Sequence, residues 1–212
     1  MNKKQALEKL QIPDAFEGFV PDKNSKLWGW NGELPLFGEL IEETRPKLII
    51  EVGTWLGLST ATMARELKKQ GLADASILAI DTFIGSRVHW EEMPETLGLQ
   101  HGFPTLYPRF LSNMMNAGCD DVVVPLPMTS SDAGAYLFSK GIRAELIYID
   151  GSHEEHDVYD DAVAYWKLLA QGGVMFGDDW GYESVQKAVM RFSEKQGAPV
   201  TTKDGKWRVQ KD

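Results

Sequence analysis

The chain has 212 residues, of which 43% are hydrophobic, and it carries a formal net charge of −9 at pH 7. This length is enough for one domain with its own hydrophobic core and too short for two. The excess of acidic residues disfavours nucleic acid and anionic membranes as partners. A single cysteine, Cys119, excludes an intrachain disulfide and a thiolate metal site.

The amino-terminal residues and the hydropathy of the chain indicate where the protein works. Residues 1–9 are charged and lack the apolar stretch of a signal peptide. No window reaches the roughly 18 consecutive apolar residues that a membrane span requires. We therefore expect a soluble, cytoplasmic protein.

Apolar runs of strand length alternate with helical patterns from about residue 47 to residue 196, which is typical of right-handed βαβ units. Two short strands then follow within residues 200–209, around an Asp-Gly turn. The sequence predicts an α/β fold: a Rossmann-like, doubly wound, mostly parallel sheet of seven strands with a C-terminal antiparallel hairpin. The predicted strands are 47–52, 76–81, 122–126, 145–150 and 172–178, and the predicted helices are 59–70 (capped by Ser59), 135–140, 157–170 and 183–196.

Two segments of this single domain, which we expect to span residues 1–212, lie outside the alternation. Residues 1–45 contain enough apolar surface to dock a helix, so we expect a helical cover there. Residues 82–121 form a long stretch that we interpret as a lid over the substrate, the alternative being a surface insertion. Trp28 and Trp30 would serve a homo-oligomer interface as readily as a lid.

Two apolar runs end in aspartate, one at Asp150 and the other at Asp178 and Asp179. Neighbouring parallel strands would deliver these carboxylates to the same sheet edge, where open α/β sheets bind ligands. Carboxylates about 4 Å apart repel by roughly 4 kcal/mol per pair at an effective dielectric constant near 20. The cluster therefore calls for a shared proton or a divalent cation, and an all-oxygen set favours Mg²⁺, Mn²⁺ or Ca²⁺.

The turn from the first strand to the first helix contains an acidic residue and two glycines, with the spacing Glu51-x-Gly53-x-x-x-Gly57. Gly53 permits a tight turn, and Gly57 lets the backbone come close to a ligand. The spacing differs from the Gly-x-Gly-x-x-Gly of dinucleotide sites, so a dinucleotide is disfavoured. Asp81, at the end of the second strand, has the geometry to accept hydrogen bonds from both ribose hydroxyls of an adenosine.

These three motifs, in this order, resemble the class I S-adenosylmethionine (SAM)-dependent methyltransferases over about residues 35–196. Within that superfamily the chain is most similar to the cephalosporin hydroxylase-like proteins and macrolide sugar O-methyltransferases, and more distantly to catechol O-methyltransferase. The resemblance implies that the glycine turn cradles the methionine part of SAM, that Asp81 binds the ribose, and that the loop after the third strand contacts adenine. The cofactor contacts it implies are Glu51, Gly53, Thr54, Gly57, Ser59, Asp81, Thr129, Ser130 and Asp150.

The same resemblance implies that Asp150, Asp178 and Asp179 hold Mg²⁺. The alternative is that Asp178 only caps the end of the strand and that Asp179 faces the solvent. His153 lies three residues after Asp150, where the resemblance to catechol O-methyltransferase places the catalytic lysine. Histidine accepts protons at neutral pH, so His153 is our candidate general base, with Asp150 beside it. Alternatively, His153 orients a carboxylate or begins the following helix.

We therefore expect an Mg²⁺-dependent O-methyltransferase whose acceptor is a small molecule with vicinal oxygens, either a sugar diol or a catechol-like ring. Two other hypotheses remain: a SAM-binding protein of the same fold with different chemistry, and a regulatory module whose carboxylates are structural. Aromatic side chains that would line the acceptor pocket are Trp90, Phe103, Tyr107, Trp180 and Tyr182.

Overall fold

The computed structural model describes all of residues 1–212 and contains seven strands and eight α-helices. A 3-10 helix, Pro94–Leu97, follows the fourth α-helix. The strands are β1 (Leu48–Val52), β2 (Ser76–Asp81), β3 (Val123–Pro127), β4 (Ala144–Ile149), β5 (Leu169–Gly177), β6 (Val200–Lys203) and β7 (Lys206–Gln210). The helices are α1 (Lys3–Leu10), α2 (Pro35–Thr44), α3 (Leu58–Lys69), α4 (Arg87–Glu92), α5 (Leu106–Asn116), α6 (Ser130–Ser139), α7 (Glu155–Trp166) and α8 (Glu183–Gln196).

All seven strands form one sheet in the order β3-β2-β1-β4-β5-β7-β6. Strands β1 to β5 are parallel, whereas β7 pairs antiparallel with both β5 and β6. The predicted α/β fold with a C-terminal antiparallel hairpin is therefore confirmed. The strand order reverses between β1 and β4, and the carboxyl ends of these two strands form the crevice in which such sheets bind ligands.

Two hydrophobic clusters cover the two faces of the sheet, because successive side chains of a strand point to opposite faces. In β1, Leu48, Ile50 and Val52 belong to one cluster and Ile49 to the other. The first cluster is completed by α1, α6, α7 and α8, and the second by α2, α3 and α5. The sheet is thus buried on both faces, which leaves its edges and strand ends for ligands.

The predicted boundaries were wrong in two places where glycine decides the local geometry. Gly57, with φ 86°, is the N-cap of α3, so Ser59 is not the cap and lies inside the first turn. The second error concerns α7, which ends at Trp166, and β5, which begins at Leu169 instead of Gly172. Gly172, the predicted start of the strand, and Gly173 lie within β5, where its pairing with β4 is irregular.

The two segments outside the alternation each divide into parts. In the first 45 residues, α1 packs on one face of the sheet and α2 on the other. In residues 82–105, α4 has no buried residue, whereas the 3-10 helix buries Leu97 in the second cluster. Phe110, Leu111 and Met114 of α5 are buried in the same cluster. The role of residues 82–121 as a lid stays a prediction. None of the helices combines the length and the apolar character needed to cross a membrane.

Candidate active site

Gly53 lies where the carboxyl ends of β1 and β4 meet. Its φ is +83°, and a Cβ atom there would overlap the backbone carbonyl of Asp150. Two backbone hydrogen bonds fix the turn. The amide of Gly53 donates to the carbonyl of Ile80 at 2.8 Å, and the amide of Asp150 donates to the carbonyl of Val52 at 2.8 Å. Only glycine combines this left-handed backbone with so close an approach of two chains.

Gly57 also has a positive φ, of +86°. The space that a Cβ would fill is occupied by the side chains of Met114 and Phe110 on α5. Packing of α5 against the turn therefore accounts for this glycine without a ligand. Between the two glycines, the hydroxyl of Thr54 is buried and has no hydrogen-bond partner.

Glu51 lies beneath the turn and is 0% exposed. Ser59 donates its hydroxyl to Oε1 of Glu51, and Thr60 donates to Oε2 at 2.5 Å. Burial raises the pKa of Glu51 to about 7, because desolvation outweighs the two hydrogen bonds. Glu51 and Ser59 thus support the turn from inside the protein.

Asp81 holds the glycine turn through the backbone. Its Oδ2 accepts hydrogen bonds from the amides of Thr54 and Trp55, at 3.0 and 2.9 Å, and its Oδ1 accepts one from the amide of Phe83 at 2.7 Å. Both carboxylate oxygens therefore have protein donors, so Asp81 orders the turn in addition to any contact it makes with a ribose.

The three aspartates predicted to share a sheet edge do so, and a buried lysine lies among them. Asp150 accepts the hydroxyl hydrogen of Tyr148 at 2.8 Å, and that hydroxyl accepts a hydrogen bond from Lys206 at 2.9 Å. The ammonium of Lys206 also lies 2.7 Å from Oδ2 of Asp178. Desolvation and the charge of Asp178 raise the pKa of Asp150 well above its usual range.

Sequence analysis missed Lys206 and Tyr148. Lys206 begins β7 and lies on the same face of the strand as Arg208. Because Arg208 pairs with Glu43 at the surface, the alternation of side chains along β7 does not indicate that Lys206 is buried. The faces of Phe37 and Tyr148 cover its ammonium, with ring centroids 5.3 and 5.1 Å away. The one available signal was Tyr148, a hydroxyl inside an otherwise apolar strand.

Asp179 turns away from Lys206 and pairs with the candidate base. Its φ is 62°, and its Oδ2 lies 2.7 Å from Nε2 of His153. The hydrogen bond to Asp179 raises the pKa of His153. The imidazole stacks on Tyr182, with centroids 5.0 Å apart, and the histidine side chain is 50% exposed. His153 is thus held at the mouth of the site and remains accessible.

The three aspartates are the residues expected to hold a divalent cation. Tyr148, Lys206 and His153 each hold one of the three aspartates, and no three acidic, histidine or cysteine side chains converge as metal ligands. Oδ1 of Asp150 and Oδ1 of Asp179 accept no hydrogen bond, however. Three carboxylates with two unused oxygens have the donor chemistry that Mg²⁺ prefers. The residues therefore fit a cation in charge and ligand type.

The loop after β3 is explained in part by helix capping. The hydroxyl of Thr129 accepts the amide hydrogen of Asp132 at 3.2 Å, which caps α6. The carbonyl of Ser130 accepts a hydrogen bond from Tyr165 at 2.8 Å. Both residues follow β3 at the same end of the sheet as the glycine turn. Their contact with an adenine stays a prediction.

Of the five aromatic residues expected around the acceptor, Tyr182 alone stacks on a candidate catalytic side chain. Tyr107 packs on Phe83 of the core, and Trp180 packs against the first hydrophobic cluster. Trp90 and Phe103 are 44% and 66% exposed on the lid segment. Sequence analysis did not identify His89 and Trp55, which stack on each other beside the turn.

The sheet order, the glycine turn and the acidic strand ends together define a Rossmann-like methyltransferase fold. The chain belongs to the family described as "Methyltransferase domain", whose profile matches residues 50–180. This membership confirms the resemblance to the class I SAM-dependent methyltransferases.

Known relatives and structures agree with this assignment. The O-methyltransferase hkm8 of Aspergillus hancockii is 27% identical over 139 residues, covering 66% of this chain and 45% of that protein. The chain thus spans about half the length of this curated relative. The O-methyltransferase of Bacillus cereus in complex with SAH matches 100% of this chain and 93% of its own, with TM-score 0.59 and 16% identity. A second structure is TomG of Streptomyces achromogenes, an O-methyltransferase involved in tomaymycin synthesis, in complex with SAM. It matches 98% of this chain and 87% of its own, with TM-score 0.58 and 16% identity. Both structures share the fold.

Proposed function

We propose that this protein is a SAM-dependent O-methyltransferase whose acceptor is a small molecule with vicinal oxygens, either a sugar diol or a catechol-like ring. One observation carries the proposal: the glycine turn anchored by Asp81 and the pair of His153 with Asp179 lie at the same end of one sheet. Family membership supports methyl transfer, and the names of the relatives support oxygen as the atom that receives the methyl group.

In this proposal the turn binds the amino-acid part of SAM. Gly53 and Thr54 face the ligand, and Asp81 fixes the amides of Thr54 and Trp55 and binds the ribose. Glu51, Gly57 and Ser59 support the turn from below. The remaining contacts would come from Thr129 and Ser130 at the adenine and from Asp150, whose backbone lies against Gly53.

His153 is the proposed general base. Its Nε2 donates to Asp179, so Nδ1 is the nitrogen left to accept the proton of an acceptor hydroxyl. Asp179 stabilises the imidazolium that forms, which agrees with the raised pKa of His153. The hydroxyl oxygen then bonds to the methyl carbon as the carbon–sulfur bond breaks, and the products are a methyl ether and S-adenosylhomocysteine (SAH).

We further propose that Asp150, Asp178 and Asp179 hold Mg²⁺. Lys206 pairs with only one of the three carboxylates, Asp178, which supports a cation in addition to that lysine. When bound, the cation would lower the pKa of the acceptor hydroxyl. Calorimetric titration of Mg²⁺ into wild type and Asp150→Asn tests this. Equal heats of binding, or none in either protein, would leave Lys206 as the only cation of the site.

The first test of the function is calorimetric titration of SAH into wild type, Asp81→Ala and Asp74→Ala. Asp81→Ala leaves three amides without acceptors, so we expect an affinity loss of at least about tenfold. Asp74, an exposed aspartate just before β2, is the matched control and should bind as wild type does. Absence of SAH binding to wild type would contradict the proposal.

A second candidate function is SAM binding without methyl transfer, in a regulatory role or with other chemistry. The buried pair of Lys206 and Asp178 favours it, because this pair gives a carboxylate a structural partner. The two candidates differ in product. Methylated diol or catechol in an assay with labelled SAM supports the methyltransferase, and SAH binding with an unchanged affinity in Asp178→Asn and no product supports the regulatory role.

A further inference from the structure

Four aromatic side chains cover the glycine turn, and we call them the aromatic cluster: Trp28, Trp30, Trp55 and His89. Trp55 belongs to the turn itself, and His89 of α4 stacks on it with centroids 4.0 Å apart and an interplanar angle of 19°. Trp28 and Trp30 approach Trp55 to 5.9 and 6.3 Å. Three segments distant in sequence thus meet at one place beside the candidate cofactor site.

The ring of His89 is fixed by its own helix cap. Its Nδ1 accepts the amide hydrogen of Ser86 at 3.1 Å and lies 2.8 Å from the hydroxyl of Ser86. A backbone amide can only donate, so Nδ1 carries no hydrogen and the hydrogen of the neutral ring is on Nε2. His89 therefore presents an N–H group on the side away from Ser86.

This N–H group has no acceptor. Nε2 of His89 and Nε1 of Trp55 are both buried without a hydrogen-bond partner, and so is the hydroxyl of Thr54. These are three of the four buried side-chain polar atoms in the chain without a partner, the other being in Gln70. A buried donor without an acceptor is unfavourable, so two such donors on stacked rings indicate a ligand that supplies acceptors.

His89 feels charges from both parts of the candidate active site. Burial and the positive charge of His153 lower the pKa of His89, whereas the charge of Asp81 raises it. The ring is therefore within electrostatic reach of both the residue that orders the cofactor turn and the candidate base.

The chemistry of the cluster restricts what it binds. N–H groups donate only, so they require a ligand that carries hydrogen-bond acceptors. The charge of Asp81 acts on the ring of His89 and disfavours an acceptor with a net negative charge there. Indole faces suit the flat apolar side of a ring. An uncharged ring that carries hydroxyl oxygens satisfies all three conditions.

We propose that the aromatic cluster is the acceptor subsite and that His89 and Trp55 donate hydrogen bonds to the hydroxyl oxygens of an uncharged ring. This inference rests on the proposed function and names the residues that select its substrate. Catechol and a methyl glycoside share the required chemistry, and we use both as probes. His89 is thus a substrate-binding residue of the lid segment.

The experiment uses the full chain labelled with ¹⁵N-histidine. The chain has four histidines, so each imidazole can be assigned by substitution, with His89→Phe identifying the resonances of His89. We expect His89 to show the Nε2–H form without ligand. Catechol or the methyl glycoside, added to the SAH complex, should shift its Nε2 resonance and leave those of His101 and His156 unchanged. The probe that produces the shift identifies the type of ring.

Kinetics on the same variants provide an independent measurement. His89→Phe keeps a ring over Trp55 and removes the donor, so KM for the acceptor should rise about tenfold while the affinity for SAH stays unchanged. Arg87→Gln, which breaks an exposed ion pair with Glu91 on the same helix, should keep the wild-type KM. A shift of His89 by SAH alone, or no shift by either probe, would overturn the proposal. Failure of wild type to bind SAH would instead refute the proposed function.

Discussion

The ammonium of Lys206 lies 2.7 Å from Oδ2 of Asp178, and the lysine side chain is 0% exposed. One residue begins the antiparallel strand β7 and the other follows the parallel strand β5, so the pair joins the hairpin to the candidate active site. A buried ion pair adds little net stability, because desolvation offsets most of the attraction, but loss of one partner is costly. We infer that the pair positions the carboxylates.

Replacement of Lys206 by Met should lower the free energy of unfolding by about 3–5 kcal/mol, because Asp178 would remain buried without its counter-charge. Urea unfolding at pH 7, followed by circular dichroism, measures this. The double variant Lys206→Met with Asp178→Asn removes both charges and should recover more than half of the loss. Equal stability of the single and double variants would mean that lost packing, not the charge, is responsible.

The stability of the protein should depend on pH through Glu51. Its pKa rises from 4.5 to about 7 on folding, so the folded state binds more protons between these values. Stability therefore falls as pH increases from about 4.5 to about 7, by up to about 3 kcal/mol. In Glu51→Gln this contribution disappears, and urea unfolding at pH 5 and pH 8 should show a smaller difference than in wild type.

Glu194→Gln is the control for Glu51, because Glu194 is exposed on α8. Its unfolding free energies at the two pH values should match those of wild type. If Glu51→Gln retained the full pH dependence, another group would be responsible and the burial of Glu51 would not explain it.

Substitution of Gly53 by Ala should destabilise the protein more than the same change at Gly118. Both glycines have positive φ, +83° and +64°, so alanine strains the backbone at each by about 1–2 kcal/mol. At Gly53 the added methyl also overlaps the carbonyl of Asp150, whereas nothing lies within 4 Å at Gly118. We expect a further loss of about 1–3 kcal/mol at Gly53, measured by thermal unfolding. Similar losses at both positions would contradict the tight contact of β1 with β4.

His153→Ala should reduce kcat by about 10²–10⁴-fold with the acceptor at saturation, because the hydroxyl loses its proton acceptor. His156→Ala is the matched control: His156 lies near the start of α7, pairs with Asp157 and is 80% exposed. We expect it to keep the wild-type rate. An unchanged kcat in His153→Ala would remove His153 from the mechanism and leave it a role in orienting Asp179.

Different parts of the site were predictable to different degrees. Asp150, Asp178 and Asp179 follow apolar strand-length runs, and parallel strands bring their ends to one edge, so their proximity followed from the pattern. The backbone hydrogen bonds of Asp81 and the packing of α5 on Gly57 did not follow from the sequence pattern. Asp81 accepts three backbone amides and Gly57 makes room for α5, and both are contacts between segments that no local pattern encodes.

The sequence by itself determined the α/β class, the family and the sheet edge where the acidic residues collect, because these depend on the period of apolar residues and on motifs within a few positions of a strand end. Only the tertiary structure decided which partner each carboxylate has. Lys206 reaches Asp178, His153 reaches Asp179, and His89 lies on Trp55. These pairs depend on how the hairpin, the start of α7 and the lid segment pack on the sheet. Such contacts join segments that are distant in sequence, so no local pattern of residues predicts them.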